Sequence, residues 1–432
     1  MKNFKKLLQI IVFISLFVGT TIPVHAAFPG SNGKLVYTDI TLENGSPSGI
    51  PFNSIAIDGS NKTALIDNVL TTSLAAGSGR FSADGKKIVF HQTNTDTGES
   101  NIYVMNQDGS NQQNLTNLDT AAFPAREGYS AMYGSFHPDG STIVYTEAWV
   151  ENSVGGGDSF CHIHAMSVDG SNKQQLTNDP TLCDIYPVYS PDGTKIAFVR
   201  NDKTAGTTGI YVMNANGSGI TLVKQLAADN ISISNYATGP LGTSGSTVDW
   251  SPDGSKLVYA TFRTDSNNIQ TSSINVTDLQ GNDTAVLTLS AQQFDSINTA
   301  GNYSNEALLN PQFTPEGQII FRKIAISLDR SFDSNSNQWV SSNEAGVARI
   351  QLINADGSNL RTVTTGATLN GSDSNFVLFS LGLPSVQPLI TQNTSLATLA
   401  STGESSLTMG ISALMAVVLG LGFGLFHKLR LS

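Results

Sequence analysis

The sequence predicts an all-β fold, a six-bladed β-propeller, from two observations. The first is a phrase that occurs six times, an aromatic residue followed by a turn closing on Gly. It reads Phe28-Pro29-Gly30-Ser31-Asn32-Gly33, Phe81-Ser82-Ala83-Asp84-Gly85, Phe136-His137-Pro138-Asp139-Gly140, Tyr189-Ser190-Pro191-Asp192-Gly193, Trp250-Ser251-Pro252-Asp253-Gly254 and Phe313-Thr314-Pro315-Glu316-Gly317. Its period of roughly 50–65 residues marks an array whose units bury their faces only against one another. The second is that no long segment of 28–385 carries the 3.6-residue apolar period of a helix.

Each element of the unit follows from its residues. Pro presets φ for the second position of a type I turn, Asp suits the third, and Gly accepts the positive φ that closes it. An apolar strand comes next, as in Lys86-Lys87-Ile88-Val89-Phe90, Thr194-Lys195-Ile196-Ala197-Phe198 and Ser255-Lys256-Leu257-Val258-Tyr259. A third strand follows a variable stretch, as in Ile102-Tyr103-Val104-Met105-Asn106 and Ile210-Tyr211-Val212-Met213-Asn214. It ends in a second tight turn such as Asp108-Gly109-Ser110, Asp169-Gly170-Ser171 or Asp356-Gly357-Ser358, and a short fourth strand such as Asn114-Leu115-Thr116 completes the unit. Four antiparallel strands, repeated with aromatic and β-branched residues at alternating positions, read as propeller blades. The alternating apolar stretch Asn375 to Leu381 lies beyond the sixth unit and is expected to pair near the first strand, closing the ring.

The phrases Ser-Pro-Asp-Gly-x-Lys-Ile-Ala-Phe and Ile-Tyr-Val-Met-Asn-x-Asp-Gly-Ser resemble the WD40-like repeats of TolB-type six-bladed propellers. The resemblance covers about residues 28–385 and implies that fold. TolB carries an α/β domain ahead of its propeller, whereas here the first repeat follows the leader directly, so the Tol–Pal role is not implied. Some propellers with such repeats are glycan lyases with a histidine-held metal, and others precede a serine peptidase domain.

The ends carry addresses. Lys2, Lys5 and Lys6, an apolar core from Leu7 to Val18, and Val24-His25-Ala26 make residues 1–26 a secretory signal cut between Ala26 and Ala27. The propeller takes 27–385, and 386–398, rich in Pro, Ser and Thr, is a tether. In 399–432, Leu399-Ala400-Ser401-Thr402-Gly403 precedes an apolar run from Leu407 to Phe426, long enough to cross a bilayer, and then His427, Lys428 and Arg430. This order resembles the Leu-Ala-x-Thr-Gly variant of a Gram-positive sortase signal. The resemblance implies a sortase partner, cleavage after Thr402 and attachment to the cell wall. A single-pass transmembrane helix is the alternative anchor.

With 23 Lys and Arg against 34 Asp and Glu, the net charge is −11. An acidic surface repels phosphate backbones, which argues against nucleic acid as a partner.

If the first strand of a unit runs up, both uniform turns share one face and the variable insertions share the other. The long insertions are 146–160, 262–272 and 323–347 within units, and 118–134 and 226–247 between them. Cys161 and Cys183, the two cysteines, fall on neighbouring strands at that face and read as a disulfide in an exported protein. His162 and His164 lie two apart on a strand, so both face one side and present two metal ligands without an evident third. Asp333-x-Asn335-x-Asn337 with Glu344 follows the oxygen-ligand spacing of a calcium loop, although Gln338 stands where such loops bend at Gly. No other cofactor is indicated. Asp139, Asp192 and Asp253 belong to the repeat and read as turn residues, as does His137.

No nucleophile elbow, phosphate loop or HExxH motif is present. Phe123, Tyr129, Trp149, Tyr236 and Trp339 lie in the insertions, where rigid aromatic anchors serve recognition. The sequence thus points to a surface-displayed, non-enzymatic binding module for an extracellular protein or glycan. The alternative is a secreted polysaccharide lyase or hydrolase using the central channel.

Overall fold

In the computed structural model, the described residues are 34–39, 41–43, 46–49, 52–56, 60–66, 74–94, 99–118, 126–151, 158–226, 248–264, 269–289, 292–293, 301–333, 338–369 and 377–378. The leader, the tether and the sorting region lie outside them, as do Phe123, Tyr236, Asn335 and Asn337. Among the described residues every regular element is a strand, and the fold is an all-β propeller type.

The strands fall into four-stranded antiparallel modules. Module two is Leu74–Phe81, Lys87–Asn94, Ser100–Asn106 and Gln113–Asn114 in sequence and spatial order. Module three is Arg126–Phe136, Thr142–Glu151, Asp158–Ser167 and Gln174–Gln175. Module four is Leu182–Tyr189, Lys195–Asp202, Thr207–Asn214 and Thr221–Leu226. Module five is Asp249–Trp250, Lys256–Thr264, Ile269–Asp278 and Asp283–Thr288, and module six is Gly301–Phe313, Gln318–Asp333, Gln338–Asn354 and Arg361–Leu369. Module one takes its first strand from the far end of the chain. Val377–Leu378 pairs with Lys34–Asp39, Leu378 opposite Thr38 and Val377 opposite Asp39, and Phe52–Ala56 and Thr63–Ile66 follow.

The aromatic of the repeated phrase ends the first strand and wedges against the preceding module. Phe81 packs with Val36 and Phe52 of module one, Phe136 with Val89 and Ile102 of module two, and Tyr189 with Val144 and Ile163 of module three. Trp250 is fully buried against module four and donates its indole N–H to the Val188 carbonyl at 3.2 Å. Modules five and six share a cluster that also takes in Leu35, Tyr37 and Ile55 of module one. Alternation along the second strand serves both neighbours: Ile88 and Phe90 face module one while Val89 faces module three.

The turns explain the repeated phrase chemically. Ser190 Oγ donates to Asp192 at 2.6 Å and accepts the Lys195 amide at 2.9 Å, and Ser82 and Ser251 repeat this. In the second turn, Gly170 has φ +84° and lies so close to module two that a Cβ would sit 2.9 Å from the Leu115 carbonyl oxygen. Glycine is needed there twice over, for its backbone region and for the approach of the preceding module.

The insertions 146–160, 262–272 and 323–347 are largely strand, with the second and third strands lengthened into β-ribbons, the longest in module six. A ladder satisfies the backbone polar groups that a loop would leave to water. In that ribbon Asp333 pairs with Gln338, and Glu344 lies further along the same strand, about 20 Å away at strand rise.

Candidate binding site at the end of module three

The insertion-side end of module three brings together the sequence candidates Tyr129, Trp149, His162 and His164. Trp149 stacks on Phe160 across the strand pair, with ring centroids 5.4 Å apart at 15°. Tyr129 and His162 meet its ring edge-on at 5.8 and 5.4 Å. Trp149 is 8% exposed and Tyr129 6%, so both are packed into this end of the module. Trp339 lies on the long strand of module six, opposite Phe332 near the ribbon's end.

Glu147 is the chemical centre of this end, and no motif marks it in the sequence. Its carboxylate is buried and accepts the Tyr129 hydroxyl at 2.7 Å and the Tyr145 hydroxyl at 3.0 Å. His164 Nε2 lies 3.8 Å from it, and His162 is its cross-strand partner. Burial, together with the Glu147 charge, pushes the Tyr145 phenol far above its ordinary range, so this hydroxyl stays protonated. Among the described residues, no group of three or more His, Cys, Asp or Glu is placed to hold a metal.

The Cys161–Cys183 disulfide braces the site, with the two Cα atoms 4.5 Å apart. The same two residues form a parallel bridge that joins modules three and four into one eight-stranded sheet. Asp179, in the connection between the modules, lies below the usual carboxylate range because the Thr181 hydroxyl and amide bind it, with Arg200 and His162 adding to the effect.

Module four fills the matching positions differently. Arg200 stands where Glu147 does, and both its Nε and Nη2 donate to Asp184 at 2.7 and 2.8 Å. Phe198 and Tyr211 flank the guanidinium at 5.3 and 5.1 Å, in the places of Tyr145 and His164. Ala131 stands where Asp184 does, so Glu147 has no opposite charge from that position.

A further ion pair lies on the propeller's inner strands. Arg80 of module two reaches Asp249 of module five at 3.1 Å, and Asp249 also accepts the Phe313 amide of module six at 3.2 Å. Three modules thus converge on one fully buried carboxylate, whose pKa burial pushes up to about 6 against the pull of Arg80. His137 bridges successive turns. It is 2.8 Å from Asp139, and its Nε2 is 3.2 Å from the Gly193 carbonyl, which makes it structural.

No protein-family model matches the chain. A stretch of 86 residues is 36% identical to the protein TolB homolog of Chlorobium luteolum (strain DSM 273 / BCRC 81028 / 2530), spanning 20% of this chain and 17% of that protein. TolB from Acinetobacter baumannii superposes with a TM-score of 0.47 at 16% identity, over 79% of this chain and 66% of the other. An oligogalacturonate lyase solved in complex with manganese superposes at 0.43 and 12% identity, over 79% and 77%. The chain is similar to TolB in its repeats. The similarity in sequence spans under a fifth of the TolB homolog's length, and its activity and partners do not transfer with the repeat.

Proposed function

We propose that this is an exported, surface-displayed binding protein, a six-bladed propeller that recognises a protein or glycan through its insertion face. The observation that carries the reading is the contrast between Glu147 and Arg200. Module four closes its charge internally, whereas module three holds a carboxylate with two phenols and an imidazole, beside an indole–phenyl stack. A carboxylate without a fixed counter-charge can pair with a ligand cation or accept from a ligand hydroxyl group. The six-bladed ring is supported by the packing of each module against the next and of module six against module one. The sorting region fits a transpeptidase that cuts after Thr402 and leaves the protein on the wall. Cell-wall digests should then release the propeller covalently linked through Thr402, and full extraction by detergent alone would leave only a membrane anchor.

The test of recognition is a glycan array and a surface pull-down with the full chain and its Glu147→Gln variant. Capture that falls at least tenfold in the variant, with unchanged folding, supports the site; equal capture by both sinks it. A second reading, a polysaccharide lyase or hydrolase, draws on the same carboxylate, phenols and imidazole, which are general acid–base groups. Turnover of a polysaccharide that vanishes in Glu147→Gln would decide for it. The inner strands favour the end of module three over the channel, because Arg80 and Asp249 meet between modules two and five.

A further inference from the structure

Arg322 lies in the second strand of module six, between Leu309 and Ile350 on the adjoining strands. It is 0% exposed, and none of its three guanidinium nitrogens has a hydrogen-bond partner. Ile320, two residues earlier on the same strand face, belongs to the cluster that includes Leu35, Tyr37 and Ile55 of module one. The matching residue of module two, His91, meets Tyr133 of the following module at 5.6 Å. Arg322 therefore points into the seam between the last module and the first, where Val377–Leu378 hydrogen-bonds to Lys34–Asp39. Modules two to five fill this position with His91, Thr146, Val199 and Ala260, none of them a fixed charge at neutral pH.

An isolated guanidinium in an apolar seam is costly, and Arg does not shed its proton at neutral pH even where burial draws the pKa down to about 9. Its planar fork of donors matches a carboxylate bidentately. We propose that the seam between modules six and one is an anion site in which Arg322 binds a single carboxylate and so locks the ring. The carboxylate is that of a small free acid.

Thermal unfolding of the full chain at pH 7.5 tests this, with formate replacing gluconate at constant sodium concentration. The wild-type midpoint should rise saturably by several degrees with formate, because a ligand that binds only the folded state stabilises it. Arg322→Met and Arg322→Gln should be flat. Line broadening of ¹³C-formate by the wild type gives the same reading should the Arg322 variants fail to fold. The proposal is overturned if the wild type does not respond to formate, or if the Arg322 variants respond as the wild type does.

Discussion

Modules three and four share a sheet, a disulfide and the same repeat, yet they use four matching positions for opposite ends. In module four, Arg200, Asp184 and the Phe198–Tyr211 pair form a closed, charge-balanced unit. In module three, Glu147, Ala131 and the Tyr145–His164 pair leave a buried carboxylate served by hydroxyls. A repeat fixes the backbone and the core, so a charge reversal at one position changes the chemistry without changing the fold. The completed pair reads as structure and the incomplete one as a site.

The largest effect should come from breaking the completed pair. Arg200→Met leaves Asp184 buried without its counter-charge and should cost about 3–5 kcal/mol in urea unfolding. A loss below about 1 kcal/mol would erase the distinction between the modules. Replacing both Cys161 and Cys183 with Ser reopens a loop of 22 residues, for a loss of about 3 kcal/mol. If the brace serves the site, ligand capture should fall further than the fraction unfolded accounts for.

The Arg80–Asp249 pair joins modules where Arg200–Asp184 joins strands of one module, and pH separates the two. The folded-state pKa of Asp249 is raised to about 6 from 3.8, so the native protein takes up a proton that the unfolded chain does not. Its contribution to stability is lost as pH rises through 6 and regained as pH falls towards 4. His91, lowered to about 4 by burial, acts in the opposite direction, and its contribution is lost as pH falls below 6.5. Comparing Asp249→Asn with wild type isolates the first effect: the wild type should gain about 1 kcal/mol relative to the variant from pH 7 to pH 5. Parallel pH profiles would show that Arg80 holds the carboxylate ionised throughout. The smallest stability change, within about 1 kcal/mol, is expected for Glu147→Gln, whose amide keeps an acceptor for one tyrosine hydroxyl and donates to the oxygen of the other. A much larger loss would make Glu147 structural after all.

The modules were legible because turn chemistry is local. Pro, Asp and Gly at set positions, followed by alternating apolar residues, specify turn and strand without reference to the rest of the chain. The disulfide partners could be paired because the repeat sets which strand ends share a face. The site was only half legible. Trp149, Tyr129, His162 and His164 stood out as residue types, while Glu147 and Tyr145 matched no motif. The signal available for Glu147 was its alignment with Arg200, a reversal of charge at one repeat position.

The sequence by itself determined the repeat, its four strands and the side on which the copies differ, because these depend on residues close along the chain. Only the tertiary structure decided that Trp149 is packed, that Arg80 meets Asp249, that Ala131 faces Glu147 where the carboxylate of Asp184 faces Arg200, and that Arg322 has no partner. Those facts depend on which modules face one another. A ring brings together residues far apart in the chain, and no local pattern encodes the distances between them.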